Sequence, residues 1–161
     1  MQKKIKKIAI TGHTKSLGKS LFDSLKTNHE VAGFSRSNGF DIKNPFQRAS
    51  IVEAVKDFDV FINVVHNYYH QTDMLIELHK SWRGTNRAII NISSQVVSSD
   101  NWALDNYEMM EYKVQKINLE TMSLHLNKID ALPKLITYTI SEINIEVDTN
   151  NIMKLIDEKT F

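Results

Sequence analysis

The stretch that most constrains the fold lies near the start of the sequence. Ile5 to Thr11 alternates lysine with aliphatic residues, becomes continuously apolar through Ile8-Ala9-Ile10, and stops at Gly12. A run that is apolar on both faces suits a strand inside a sheet covered on both sides, the usual setting of parallel strands. Leu17, Leu21, Phe22 and Leu25 then recur at helical spacing, so the chain opens as strand, glycine loop, helix. Only five glycines and two prolines punctuate the 161 residues, which makes a glycine at this junction informative.

The alternation continues along the chain. Glu30 to Phe34 predicts a second strand, left through the loop Ser35 to Gly39, and Phe40-Asp41-Ile42 a short third one. Asn44-Pro45 opens a helix with Ile51, Val52 and Val55 as its buried stripe. Asp59 to Val65 is the expected fourth strand, and His70 to Trp82 an amphipathic helix through Met74, Leu75 and Leu78. Ala88 to Ile92 predicts a fifth strand ending in Ser93-Ser94, followed by a long helix from about Tyr107 to Leu126, a strand from Leu135 to Ile140 and a last helix from about Asn150 to Glu158. Strands alternating with helices over short connections imply a single α/β domain over residues 1–161, a parallel sheet between two helical layers. Ligands of such sheets bind beyond the carboxyl ends of the strands, here at Gly12, Ser35, Asn63 and Ser94.

Charge excludes some partners. Twenty Lys and Arg against 19 Asp and Glu give a net charge of +1, without the basic excess that binding a phosphate backbone requires. The local exception, Lys3, Lys4, Lys6 and Lys7, reads as a solubilising lead-in, because the apolar run behind it is too short for a signal peptide or a membrane span. Neither nucleic acid nor membrane is expected as a partner. With no cysteine there is no disulfide, which fits a reducing, cytoplasmic setting.

At the first strand's end, in Thr11-Gly12-His13-Thr14-Lys15-Ser16-Leu17-Gly18, the first glycine allows a tight turn. The helix start near Leu17 aims free N–H groups at an anion, and Gly18 lets that helix approach the sheet. The loop is not a P-loop, since Gly12 and Gly18 are six apart where G-x-x-x-x-G-K-[ST] needs five, and by itself it is also compatible with an ordinary strand-to-helix turn. Farther on, Tyr112 and Lys116 stand one helical turn, ~6 Å, apart. A phenol titrates near ~10 and serves as an acid or base at neutral pH only if a cation stabilises its phenolate, which Lys116 is placed to do. Ser94, at a strand end, could hold a carbonyl oxygen while Tyr112 moves the proton. Tyr107 is the rival phenol, but Glu111 occupies its fourth position onward and would oppose a phenolate.

Together these motifs resemble the short-chain dehydrogenase/reductase family. Thr11 to Leu21 is similar to its T-G-x-x-x-G-x-G loop, with Ser16 at the middle glycine. Asn91-Ile92-Ser93-Ser94, followed 18 residues after Ser94 by Tyr112 and then Lys116, resembles its serine, tyrosine and lysine in order and on the same elements. Asn63 is the retained residue of the N-N-A-G strand end, and Asp41-Ile42 resembles the pair that contacts adenine. The resemblance implies a Rossmann-like doubly wound parallel sheet, three-layer α/β/α, truncated at the C-terminal substrate-binding end. It implies an NADP(H)-dependent oxidoreductase passing hydride between nicotinamide and a small-molecule carbonyl or alcohol, with Ser94, Tyr112 and Lys116 catalytic. The cofactor would lie on Gly12, Thr14, Lys15, Ser16, Leu17, Gly18, Ser35, Arg36, Asp41, Ile42, Asn63 and Val64. Arg36 after the second strand and Lys15 before the middle-glycine position favour NADP(H) over NAD(H), because two cations suit a 2′-phosphate. A homo-oligomer, dimer or tetramer, through the long helix is implied as well, with Tyr68, Tyr69 or Trp102 of a neighbour covering the site.

The chain also departs from that pattern. No asparagine lies between Tyr68 and Arg83 to complete a proton relay, and Ser141-Glu142 followed by about twenty residues leaves little for a substrate lid. A non-catalytic nucleotide-binding or interaction module that keeps the fold is the alternative. His66 and His70, with Asp73 and Glu77, have helical metal-ligand spacing, but H-E-x-x-H is absent and no metal is expected. No G-x-S-x-G elbow supports a hydrolase. Met109, Met110 and Trp102 read as packing or interface residues.

Overall fold

In the computed structural model the apolar run after Lys7 forms β1 (Lys7–Thr11), with Ile8, Ala9 and Ile10 wholly buried. The structure describes residues 4–99, 106–141 and 144–158, so Lys3, Trp102 and Glu142 lie outside the described residues. Helix α1 (Ser16–Leu25) turns Leu17, Leu21 and Leu25 inward and leads to β2 (Glu30–Phe34). Helix α2 (Pro45–Ala54) starts where Asn44 accepts from the Phe46 and Gln47 N–H groups and proline occupies the first turn. Next come β3 (Val60–Asn63), α3 (His70–Trp82) and β4 (Ala88–Ser94). Helix α4 (Tyr107–Ile129) is capped by Asn106 and followed by β5 (Lys134–Ile140) and α5 (Ile145–Glu158).

All strand pairs are parallel, in the order β2-β1-β3-β4-β5. One face of the sheet packs Leu17, Leu21 and Leu25 of α1 with Ile152 and Ile156 of α5. The other packs Ile51 of α2, Met74, Leu75, Leu78 and Trp82 of α3, and Leu119 of α4. This is the Rossmann-like three-layer α/β/α arrangement. Each fully buried aliphatic side chain contributes roughly 1.5–3 kcal/mol, so Ile152 and Ile156 go far toward docking α5. Thr149 Oγ1 to Ser20 Oγ (2.8 Å) and Lys6 Nζ to the Ile156 carbonyl (2.5 Å) clip it in place.

One expected strand is missing. Phe40-Asp41-Ile42 runs as loop into a turn at Ile42, because local polar chemistry captures the backbone that a ladder would need. Gly39 is left-handed (φ 89°), the Phe40 N–H donates to the Ser35 carbonyl (2.9 Å), and Asp41 Oδ1 accepts from the Lys43 N–H (3.0 Å). The sheet therefore has five strands rather than six. β3 stops at Asn63, short of the expected Val65, because the Val64 and Val65 N–H groups turn to Thr11 Oγ1 (3.0 and 3.3 Å). Helix α4 runs on to Ile129, and α5 starts at Ile145 rather than Asn150.

Candidate active site

The loop after β1 is shaped by close approach. Gly12 is left-handed (φ 73°) and donates its N–H to the Phe34 carbonyl (2.8 Å); a Cβ there would sit 2.4 Å from Val65 Cγ2. A Cβ on Gly18 would lie 2.2 Å from the Gly12 carbonyl oxygen, so α1 rests against the loop's own backbone. The Lys15 side chain makes no cap, and the first-turn N–H groups of Ser16, Leu17 and Gly18 are free of intrahelical partners. Ser16 holds a left-handed backbone (φ 46°).

A groove of about 810 Å³ runs from this loop along the sheet's carboxyl edge. Gly12, Thr14 and Lys15 form one wall, Ser35, Arg36, Asp41 and Ile42 a second, and Val64, Val65, His66 and Asn67 the third. Of the residues expected at a cofactor, Ser16, Leu17, Gly18 and Asn63 do not line it. Asn63 is fully buried and donates from Nδ2 to the Gln71 carbonyl (2.9 Å) and Asn91 Oδ1 (3.0 Å), tying β3 to α3 and β4. The second wall is braced by Arg48, which donates to the Ile42 carbonyl (2.6 Å) and pairs with Glu77 (2.9 Å). A glycine turn and two cations, Lys15 and Arg36, at one groove fit the phosphates of a dinucleotide.

Lys116 and Tyr112 share one face of α4, with Lys116 Nζ 5.6 Å from the Tyr112 ring centroid. Lys116 is almost fully buried and donates to Gln71 Oε1 (2.8 Å) and the Ile92 carbonyl (2.9 Å). Burial lowers its pKa to about 8, with the Glu120 carboxylate pulling the other way. Gln71, itself buried, donates from Nε2 to the Asn63 carbonyl (2.8 Å) and the Ile92 carbonyl (3.1 Å). No asparagine stands on this helix, and Gln71, in the inward stripe with Met74, Leu75 and Leu78, is the polar residue that reaches Lys116. Ser94 is half-buried at the end of β4, where its Oγ accepts from the Val96 N–H (3.4 Å), and neighbouring Ser93 donates to Glu120 (2.5 Å).

His66 and His70 go to different partners. His70 Nδ1 faces Asp73 (2.9 Å), whereas the His66 ring meets Tyr112 edge to face at 4.6 Å between centroids. Lost hydration and then the Lys116 ammonium lower the His66 pKa to about 4, and a hydrogen bond with Gln115 opposes this. Among the described residues no group of three or more His, Asp or Glu could hold a metal ion, and no helix is long and apolar enough to cross a membrane.

No family model matches the sequence, and no curated protein matches it either. Solved structures do. A short-chain dehydrogenase from Burkholderia cenocepacia J2315 in complex with NADP superposes with a TM-score of 0.75 at 14% identity, over 99% of this chain and 87% of that one. A small-chain dehydrogenase gives 0.77 at 15% identity, over 96% and 91%. The 3-alpha-hydroxysteroid dehydrogenase from Pseudomonas sp. B-0831, complexed with NADH, gives 0.68 at 17%, over 84% and 71%. The fold of this chain is that of the short-chain dehydrogenases.

Proposed function

We propose that the protein is an NADP(H)-dependent oxidoreductase of the short-chain dehydrogenase/reductase type, acting on a small carbonyl or alcohol. The observation that carries the reading is the buried Lys116 ammonium, one helical turn from Tyr112 and 5.6 Å from its ring. NADPH, when bound, supplies the hydride to the carbonyl carbon. Tyr112 gives its hydroxyl proton to the carbonyl oxygen, Ser94 orients that oxygen, and Lys116 stabilises the phenolate left behind. Gln71 holds the ammonium in place. The loop from Gly12 to Lys15, followed by the uncapped start of α1, would hold the pyrophosphate, Asp41 and Ile42 would lie against the adenine, and Lys15 with Arg36 would take a 2′-phosphate.

A second reading, a nucleotide-binding module without turnover, is favoured by one feature: among the described residues, the groove lining includes none of Ser94, Tyr112 and Lys116. Calorimetric titration with NADPH and NADH, together with NADPH oxidation over a panel of aldehydes and ketones, separates the readings. The enzyme reading expects tighter NADPH binding and a turnover that Tyr112→Phe abolishes without loss of binding. Binding with no turnover of any carbonyl supports the module instead.

The exposed apolar stripe Tyr107, Met110, Val114, Ile117 and Leu124 on α4 supports a homodimer or tetramer through that helix. The absence of cysteine accords with a cytoplasmic setting.

A further inference from the structure

His66 is unused by the chemistry above, yet it connects the groove to the proposed proton donor. It lines the groove, and its ring also touches Tyr112, the residue placed to move the proton. His66 and Asn67 line the groove, whereas Tyr112 and Lys116 do not. The His66 imidazole therefore bridges the groove and the Tyr112 ring.

The backbone there is held on both sides. The Val65 N–H is bonded to Thr11 Oγ1 (3.3 Å) and the Asn67 carbonyl accepts from the His70 N–H (2.9 Å). Between these anchors, the motion that clears the way at least cost is rotation of the His66 side chain rather than a shift of the loop.

Resting on the dinucleotide reading of the groove, we propose that His66 is a specificity-determining residue that sets how much of a dinucleotide the site accepts. With its ring against Tyr112, the groove admits the adenosine phosphate half. The second nucleotide reaches Tyr112 and Lys116 only when the ring has turned away. A ligand confined to the groove is indifferent to that rotation, whereas one that spans both halves binds only the fraction of molecules in which the ring is out, and its apparent affinity falls by that fraction. Giving up one edge-to-face ring contact makes that fraction about one in ten.

Two probes test this by calorimetry: adenosine 2′,5′-bisphosphate, which occupies only the groove, and NADPH, which spans both halves. His66→Ala is expected to tighten NADPH about 10-fold while changing the bisphosphate less than twofold. His66→Phe, which keeps a larger ring at the same place, is expected to weaken NADPH and again leave the bisphosphate unchanged. Thermal unfolding of both variants checks that they are folded, and the opposite signs keep the test decisive if one of them is not. Equal shifts of the two probes, or an unchanged NADPH affinity in both variants, overturn the role of His66. If the wild-type protein binds neither probe, the dinucleotide reading falls and takes this inference with it.

Discussion

Lys116 Nζ on α4 lies 2.8 Å from Gln71 Oε1 on α3, and this bond anchors the buried ammonium beside Tyr112. The amide is committed at both ends, since its Nε2 donates to the Asn63 and Ile92 carbonyls. One side chain thus joins β3, β4 and α4 beneath the site.

Gln71→Leu removes an acceptor from a buried cation and a donor from two buried carbonyls. The expected loss is roughly 2–4 kcal/mol, read as a Tm lowered by about 10 °C. Gln71→Glu places a carboxylate against the ammonium and should raise the Lys116 pKa, visible as an alkaline shift of the pH–rate profile.

The Lys116 pKa near 8 fixes two pH dependences. Carbonyl reduction should fall as pH rises through about 8, when the ammonium is lost. Stability should move the other way. Below pH 8 the lysine is protonated folded and unfolded, and the full cost of burying the charge is present. Between about 8 and 10.5 the folded protein gives up its proton first, so wild type gains about 3 kcal/mol relative to Lys116→Met across that window. Urea unfolding of both proteins at pH 7.5 and 10 measures the change.

Ser16 holds a left-handed backbone at φ 46°, which a Cβ disfavours. Ser16→Gly should stabilise the protein by up to about 1 kcal/mol, after the entropy glycine loses is deducted, a Tm increase of about 3 °C. Differential scanning calorimetry would show it.

A Cβ on Gly33 would lie 2.1 Å from Cγ of the His13 ring, which leaves room at this position of β2 only for glycine. Gly33→Ala should cost about 2 kcal/mol alone and much less in a His13→Ala background, a coupling of about 1–2 kcal/mol in a double-mutant cycle. Additive losses would mean that His13 is not the obstacle.

Arg36 and Lys15 line the same groove from different walls. Replacing either with alanine should weaken NADPH binding about 10- to 100-fold, the worth of one charge-assisted hydrogen bond, and leave NADH within a factor of two. Fluorescence titration with the two cofactors gives the ratio.

The helices and the buried strands were legible because their patterns are local: Ile8-Ala9-Ile10 is apolar on both faces, and Met74, Leu75 and Leu78 mark one side of a helix. Phe40-Asp41-Ile42 misled because Ile42 is buried as a strand residue would be, while Gly39, Asp41 and Asn44 bend the backbone into turns. Tyr112 and Lys116 were legible as a spacing along one helix. Their partners were not, since Gln71 arrives from α3 and His66 from the loop after β3 by tertiary packing, and no periodicity within α4 encodes them.

The lost third strand leaves β2 at the sheet's edge and the groove's second wall made of side chains: Phe34 against Phe40 at 4.9 Å, and Arg48 holding the Ile42 carbonyl. A strand there would lock that wall into the hydrogen-bond ladder, so that any change to it would travel through β2 and β1. Built from loop and turn, exposed positions such as Arg36 and Ser37 lie outside that ladder, while Ile42 keeps its place in the core. Under the proposed cofactor role of Arg36, ligand preference can therefore drift or be engineered at this loop without passing through the sheet.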